Sequence, residues 1–253
     1  MPRILALANQ KGGVGKTTTA INLGAALASL ERKVLVVDLD PQANATSGLG
    51  LSKAEAPAAT YELLRGEGEA GTAPVSTQFP NLWLLPSNRH LVGAEIELVD
   101  VSDREFRLAR GLAPIVADGF DFVLIDCPPS LGLLTLNGLC AADAVLIPIQ
   151  CEYFALEGVS DLLETIERVR ESFNPKLRIE GIVLTMFDER TNLSRQVVDD
   201  IRTYFGDRVY RTLIPRNIRL AEAPSFGKPI LAYDIKSKGA EAYLSLAAEV
   251  IGS

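Results

Sequence analysis

The chemistry of this chain is densest at residues 9–19, Asn-Gln-Lys-Gly-Gly-Val-Gly-Lys-Thr-Thr-Thr. Glycines let a backbone turn its N–H groups inward around an oxyanion. A helix opening straight after such a turn adds the positive end of its dipole. Lys16 is spaced to reach the β- and γ-phosphates of a nucleotide, and the Thr17 hydroxyl to bind Mg²⁺. Gly12, Gly13, Val14, Gly15, Lys16, Thr17 and Thr18 thus form a candidate phosphate cradle. The general pattern G-x-x-x-x-G-K-[ST] asks for glycine at position 10. Here position 10 is Gln10, and a second lysine, Lys11, follows it.

Two further stretches supply carboxylates. Asp38 ends the apolar run VLVVD and Asp40 follows two residues later; Asp126 ends FVLID. Residues at the carboxyl ends of buried strands face the ligand crevice of open α/β sheets. Asp126 suits a Mg²⁺ partner, held directly or through water. Asp38 lies nearer the strand body, where a structural role competes with a catalytic one. Pro128 and Pro129 cannot continue a strand and fit a loop that senses a γ-phosphate. His90 is the only histidine, so neither a histidine metal cluster nor a triad is available. Cys127, Cys140 and Cys151 lack paired ligand spacing and read as small apolar groups in a reducing compartment. Ser130 has no nucleophile-elbow context.

The elements that must position these residues alternate. Short apolar runs at 4–8, 34–38, 82–85, 122–125, 145–149, 181–185, 210–214 and 230–232 read as strands. Several are apolar on consecutive positions, as strands covered on both faces require. Amphipathic stretches at 17–30 and 156–173 read as helices. This predicts an α/β fold, a mostly parallel twisted sheet with helices on both faces and right-handed crossovers. Residues 51–80 are the least regular, with one short helix expected at 61–65, and no linker divides the chain. One domain spanning residues 1–253 is expected.

The composition is that of a globular protein: of 253 residues, 47% are apolar and 23% charged. No apolar run is long enough for a membrane span. The net charge of −7 argues against a globally basic nucleic-acid binder. A local exception lies at residues 205–238, with seven basic residues against three acidic ones. That asymmetry suits a polyanion-facing surface.

The run KGGVGKTT, with DLDPQ at 38–42, DCPPS at 126–130 and IPRN at 214–217, resembles the ParA/MinD group of deviant P-loop ATPases. The runs DCPPSLGLLT, QCEYFALEG and RTNL are most similar to the chromosomal ParA proteins called Soj. The resemblance spans nearly the whole chain and implies a partner-stimulated ATPase using ATP and Mg²⁺. It implies that Asp40 positions the attacking water, and that Lys11 crosses an ATP-dependent homodimer to the partner's γ-phosphate. Pro215 and Asn217 would lie beside the adenine. Arg190 and Arg219 would contact double-stranded DNA without sequence preference, and a ParB-type protein would trigger release. A cytoplasmic, nucleoid-associated location follows from the same resemblance. A MinD-like membrane-associated regulator is the alternative, but residues 239–253, GAEAYLSLAAEVIGS, carry two glutamates and no lysine or arginine. That is not the basic amphipathic helix such attachment uses. A P-loop enzyme that modifies a small molecule is a third reading, without a histidine or cysteine constellation to support it.

Overall fold

The computed structural model describes residues 2–57, 59–66, 73–117, 119–153, 155 and 157–252. From the amino end these form β1 (Arg3–Leu7), α1 (Lys16–Ser29), β2 (Val34–Asp38), α2 (Asn44–Gly48) and α3 (Ala59–Arg65). Then come β3 (Val75–Ser76), β4 (Leu82–Leu85), α4 (Leu91–Glu97), α5 (Arg107–Val116), β5 (Phe122–Asp126) and α6 (Leu133–Ala141). The remainder is β6 (Ala144–Gln150), α7 (Glu157–Ser172), β7 (Arg178–Phe187), α8 (Asn192–Phe205) and β8 (Val209–Pro215), followed by α9 (Ile218–Glu222), α10 (Ile230–Tyr233) and α11 (Lys238–Gly252).

The strands make one sheet in the order β3-β4-β2-β5-β1-β6-β7-β8. Every pairing is parallel except that of β3 with β4. The alternating side chains of buried strands feed two cores. Ala6, Leu35, Val37, Val123, Ile125, Val145 and Ile147 pack under α3 to α8. Leu5, Leu7, Val34, Val36, Leu124 and Leu146 pack under α1, α2 and α9 to α11. This is why the strand sequences read as unbroken apolar runs. Helix α1 lies close on the sheet because Gly24 has no side chain. A Cβ there would stand 3.2 Å from Val36 and 3.5 Å from Leu124.

Seven of the eight expected strands form. The exception is 230–232, which is helical as α10 rather than extended. Pro229 at φ −65° caps it, and its carbonyl accepts from the amides of Ala232 and Tyr233. The Ile230 amide goes to Asn22 Oδ1 of α1 at 2.7 Å, so no sheet edge is needed to satisfy it. The two-residue β3 carries no period of its own, and its antiparallel pairing with β4 defines it. The short helix expected at 61–65 forms as α3, beginning two residues earlier.

Candidate functional site

Strand register assembles the site. In the β2–β5 pairing Asp38 sits opposite Asp126, and in the β1–β5 pairing Leu7 sits opposite Asp126. Three strands therefore end level, and the loop after β1 lies beside both acidic ends. That loop turns through Gly13 at φ +77° and Gly15 at φ +89°. A side chain at either would be held in the left-handed region. Lys16 opens α1, is almost fully buried, and donates from Nζ to the Lys11 carbonyl at 3.2 Å. Burial lowers its pKa, against the pull of Asp126, Cys127 and Asp40.

Asp126 is the most telling group. It is fully buried, and neither carboxylate oxygen meets a donor in ordinary hydrogen-bond geometry, although the Thr17 hydroxyl is near enough to favour its charged form. Burial, then the charge of Asp38, raises its pKa well above the ordinary range, with Thr17 and Lys16 pulling the other way. A buried carboxylate left unsatisfied is costly. A hard cation beside the Thr17 hydroxyl would relieve it. Among the described residues no three histidine, cysteine or carboxylate side chains cluster as a metal cage. One carboxylate and one hydroxyl, with the remaining positions left to water and phosphate, is how Mg²⁺ is usually held. The residues fit that ion.

Asp38 and Asp40 differ in what holds them. Asp38 accepts from the Thr46 amide and hydroxyl at 2.7 and 2.6 Å, and from the Asp40 amide at 3.2 Å. Burial pushes its pKa up to about 6. It is occupied in fastening α2 to β2. Asp40 accepts only a local bond, from the Gln42 amide at 2.8 Å, and is slightly exposed. Of the two, Asp40 has the free oxygen. On the loop after β5, Pro129 comes within van der Waals reach of the Gly12 position.

A largely apolar cavity of about 400 Å³ opens beside the phosphate loop, lined by Gly15, Thr18, Pro215, Asn217, Ile218 and Tyr243 among others. It joins the carboxyl end of β8 to the start of α1, so the two motifs most distant in sequence share one pocket. Asn217 caps α9 by accepting from the Leu220 amide at 3.2 Å. Its side-chain oxygen is thereby engaged, and its NH₂ group is the part left for a ligand.

Lys11 does not line this cavity: its Nζ lies 3.9 Å from Glu152, which also meets Arg216 at 3.8 Å. Arg190 and Arg219 line one groove of about 930 Å³ with Arg216 and Lys238. Both are paired with acids. Arg190 grips Asp188 with two bonds of 2.9 and 2.8 Å, holding that carboxyl below its usual range. Arg219 donates to Glu222 at 3.0 Å and lies 3.5 Å from Asp234. Asp188 and Glu222 are two and three residues from their arginines, whereas Asp234 is fifteen residues from Arg219 and reaches it through the fold.

Two supports lie outside the residues expected from the sequence. Thr185 Oγ1 donates to the Val14 carbonyl at 2.8 Å and pins the phosphate loop to β7. A polar residue ending the apolar run 181–185 was the available signal. Tyr243, fully buried on α11, meets Thr19 of α1 hydroxyl to hydroxyl at 3.1 Å. No local pattern marks it. Cys127 and Cys151 are buried and Cys140 partly so. Burial raises all three thiols, the latter two to about 12.

A family model described as an AAA domain matches residues 2–179. The chain is 55% identical over 250 residues to the chromosome partitioning protein ParA of Caulobacter vibrioides, covering 98% of this chain and 94% of that one. It is 54% identical over 250 residues to the sporulation initiation inhibitor protein Soj of Bacillus subtilis, covering 99% and 98%. Among solved structures, cobyrinic acid a,c-diamide synthase from Mycobacterium smegmatis with bound ADP and magnesium is similar at TM-score 0.87 and 44% identity, covering 99% and 94%. The cell division ATPase MinD of Pyrococcus furiosus is similar at TM-score 0.80 and 28% identity, covering 100% and 99%.

Proposed function

The chain belongs to the ParA/Soj family of P-loop ATPases, and on that premise we propose that it is a chromosome-partitioning ATPase acting as one domain. ATP and Mg²⁺ would join two protomers, and the dimer would bind double-stranded DNA without sequence preference. A ParB-type protein would speed hydrolysis and release the DNA. The observation that carries the nucleotide half of this reading is the unpartnered Asp126 carboxylate at the mouth of the phosphate loop.

The backbone amides of residues 12–17 donate to phosphate oxygens, and Lys16 turns its ammonium from the Lys11 carbonyl toward the β- and γ-phosphates. Thr17 and Asp126 would hold Mg²⁺, which when bound would neutralise phosphate charge. Asp40 orients the attacking water. The purine sits in the cavity between Gly15 and Pro215, with the Asn217 NH₂ on its edge. Lys11 leaves Glu152 and acts across the dimer, as arginine fingers do in other P-loop enzymes. Arg190 and Arg219 meet DNA phosphates, which need charge rather than base readout.

A MinD-like membrane regulator is less well supported. The apolar side of α11 is spent in the core through Ala240, Tyr243, Leu246, Ala247 and Val250. No described helix is long and apolar enough to cross a membrane.

The deciding experiment uses Asp40→Ala with ATP and Mg²⁺. Light scattering should show a stable dimer, and sedimentation should show it pelleting with DNA of any sequence and not with anionic vesicles. An Asp40→Ala variant that hydrolyses ATP normally would remove Asp40 from its role. ATPase activity raised by a carboxylate metabolite instead of DNA and partner would favour small-molecule chemistry. Lys11→Ala should still bind ATP as a monomer but fail to dimerise.

A further inference from the structure

Three side chains on and just beyond α4 point outward in a single stripe. Val92, Ile96 and Val99 are 54%, 73% and 53% exposed. Their spacing of four and three residues places them on one helical face. The opposite face, with Leu91, Ala94 and Leu98, is buried in the core, so the helix is already fixed without the stripe. Exposed apolar residues scattered singly mean little, but a contiguous row of three is the start of an interface.

Charge says what covers it. Residues 89–105 hold five acidic residues and two basic ones. Some of these acids are engaged: Glu97 with Tyr61 and Arg65, Asp103 with Arg110, and Glu105 with Arg104. Glu95 and Asp100 flank the stripe without entering any of these pairs. A second copy laid on this face by two-fold symmetry would set the acidic rims against each other. An anionic lipid surface would be repelled. A basic amphipathic segment satisfies both the apolar row and its acidic borders.

The position of α4 gives an occupant leverage. The residues leading into it, Ser87 and Asn88, are buried, and the Ser87 hydroxyl donates to the Asp40 carbonyl at 2.9 Å. The Ser87 amide donates to Thr46 Oγ1 at 3.0 Å, the hydroxyl that holds Asp38. On its other side, the Glu95 carboxylate lies against Gly132, where a Cβ would come within 2.5 Å of it. Gly132 ends the loop that begins after Asp126. The segment leading into the helix is thus bonded to the Asp38–Asp40 loop, and Glu95 on the helix packs against the loop that follows Asp126.

We propose that the outer face of α4 is a docking surface for a basic amphipathic helix of a protein partner, with Val92, Ile96 and Val99 as its apolar floor and Glu95 and Asp100 as its charged rim. The probe is a labelled 18-residue Leu/Lys peptide with leucines at helical i, i+3, i+4 spacing. Its controls are a scrambled peptide of the same composition and a Leu/Glu counterpart. Binding is read by fluorescence anisotropy at physiological salt on the full chain without nucleotide, so failure here is separate from failure at the nucleotide site. The wild type should prefer the Leu/Lys peptide over both controls. Val92→Ser/Ile96→Ser should weaken that binding tenfold or more with an unchanged thermal midpoint. Glu95→Lys/Asp100→Lys should reverse the preference toward the Leu/Glu peptide. Equal binding by the wild type and the serine variant overturns the proposal, as does equal binding of the scrambled peptide. Concentration-dependent self-association that the serine variant abolishes would assign the face to a second copy, and vesicle binding that it abolishes would assign it to lipid; either result overturns the proposal.

Discussion

At Asp126 the needs of ligand binding and of the free protein are in conflict. The carboxylate is buried with both oxygens unpartnered, close to Asp38. Its pKa is raised, so the folded chain holds that proton more tightly than the unfolded chain does. As pH rises above the ordinary carboxylate value, the unfolded state loses the proton first, and stability without ligand falls. Asp38, pushed up to about 6, adds to the same decline between about pH 4 and 6. Asp126→Asn should therefore be more stable than the wild type at pH 8 in the absence of nucleotide, by about 1–3 kcal/mol. Its stability should also fall less between pH 5 and pH 8, as read from urea unfolding. The same variant should lose Mg²⁺-dependent ATP binding in a calorimeter. Lys16→Ala should lose ATP binding with or without Mg²⁺, because it removes the one buried ammonium at the loop.

Among the elements, the contact between the loop after α2 and the segment after α9 matters most for connecting the site to the basic groove. Gly50 at φ +92° and Gly227 at φ +62° touch through their backbones. A Cβ on Gly227 would lie 2.6 Å from the Gly50 Cα, in the backbone itself. Only two glycines allow this approach, which brings the α2 side of Asp40 against the chain that carries Arg219. Gly227→Ala should cost about 2–3 kcal/mol, or roughly 4–12 °C of thermal midpoint for a chain of this size. Gly119→Ala, at φ +94° with open space around its Cβ, should show the backbone cost alone, about 1 kcal/mol. Equal losses in the two variants would mean that the Gly50 contact contributes nothing.

On the scale of the whole molecule, the proposed surface for DNA would have to work on a chain of net charge −7. The groove holding Arg190, Arg216, Arg219 and Lys238 also holds Asp188, Glu189 and Glu241. One protomer therefore offers little net charge, and two joined in the proposed dimer would double the contacts. If the dimer neutralises about six phosphates, log K against log salt should have a slope of about −5. Arg190→Ala or Arg219→Ala, lost from both protomers, should make that slope shallower by roughly 2 while leaving ATP-dependent dimerisation intact. The loss should be equal for unrelated DNA sequences, as filter binding over a salt series would show.

The sequence by itself determined the elements whose signal is local. Seven strand positions, the phosphate loop and the acids at the ends of β2 and β5 were legible because apolar runs and glycine spacing act over a few residues. The mixed behaviour of 230–232 was not, because three apolar residues after a proline suit either state and the Asn22 side chain of a distant helix selects one. Tertiary structure alone decided which carboxylate is free and which is fastened. Asp38 and Asp40 are two residues apart with the same chemistry, yet Thr46 occupies one and leaves the other. It likewise brought Pro215 and Asn217 to the mouth of a loop two hundred residues earlier. These depend on strand order and register, which put β1 between β5 and β6 with Asp38 level with Asp126. Register is a sum of many weak long-range contacts, and no short stretch of sequence carries it.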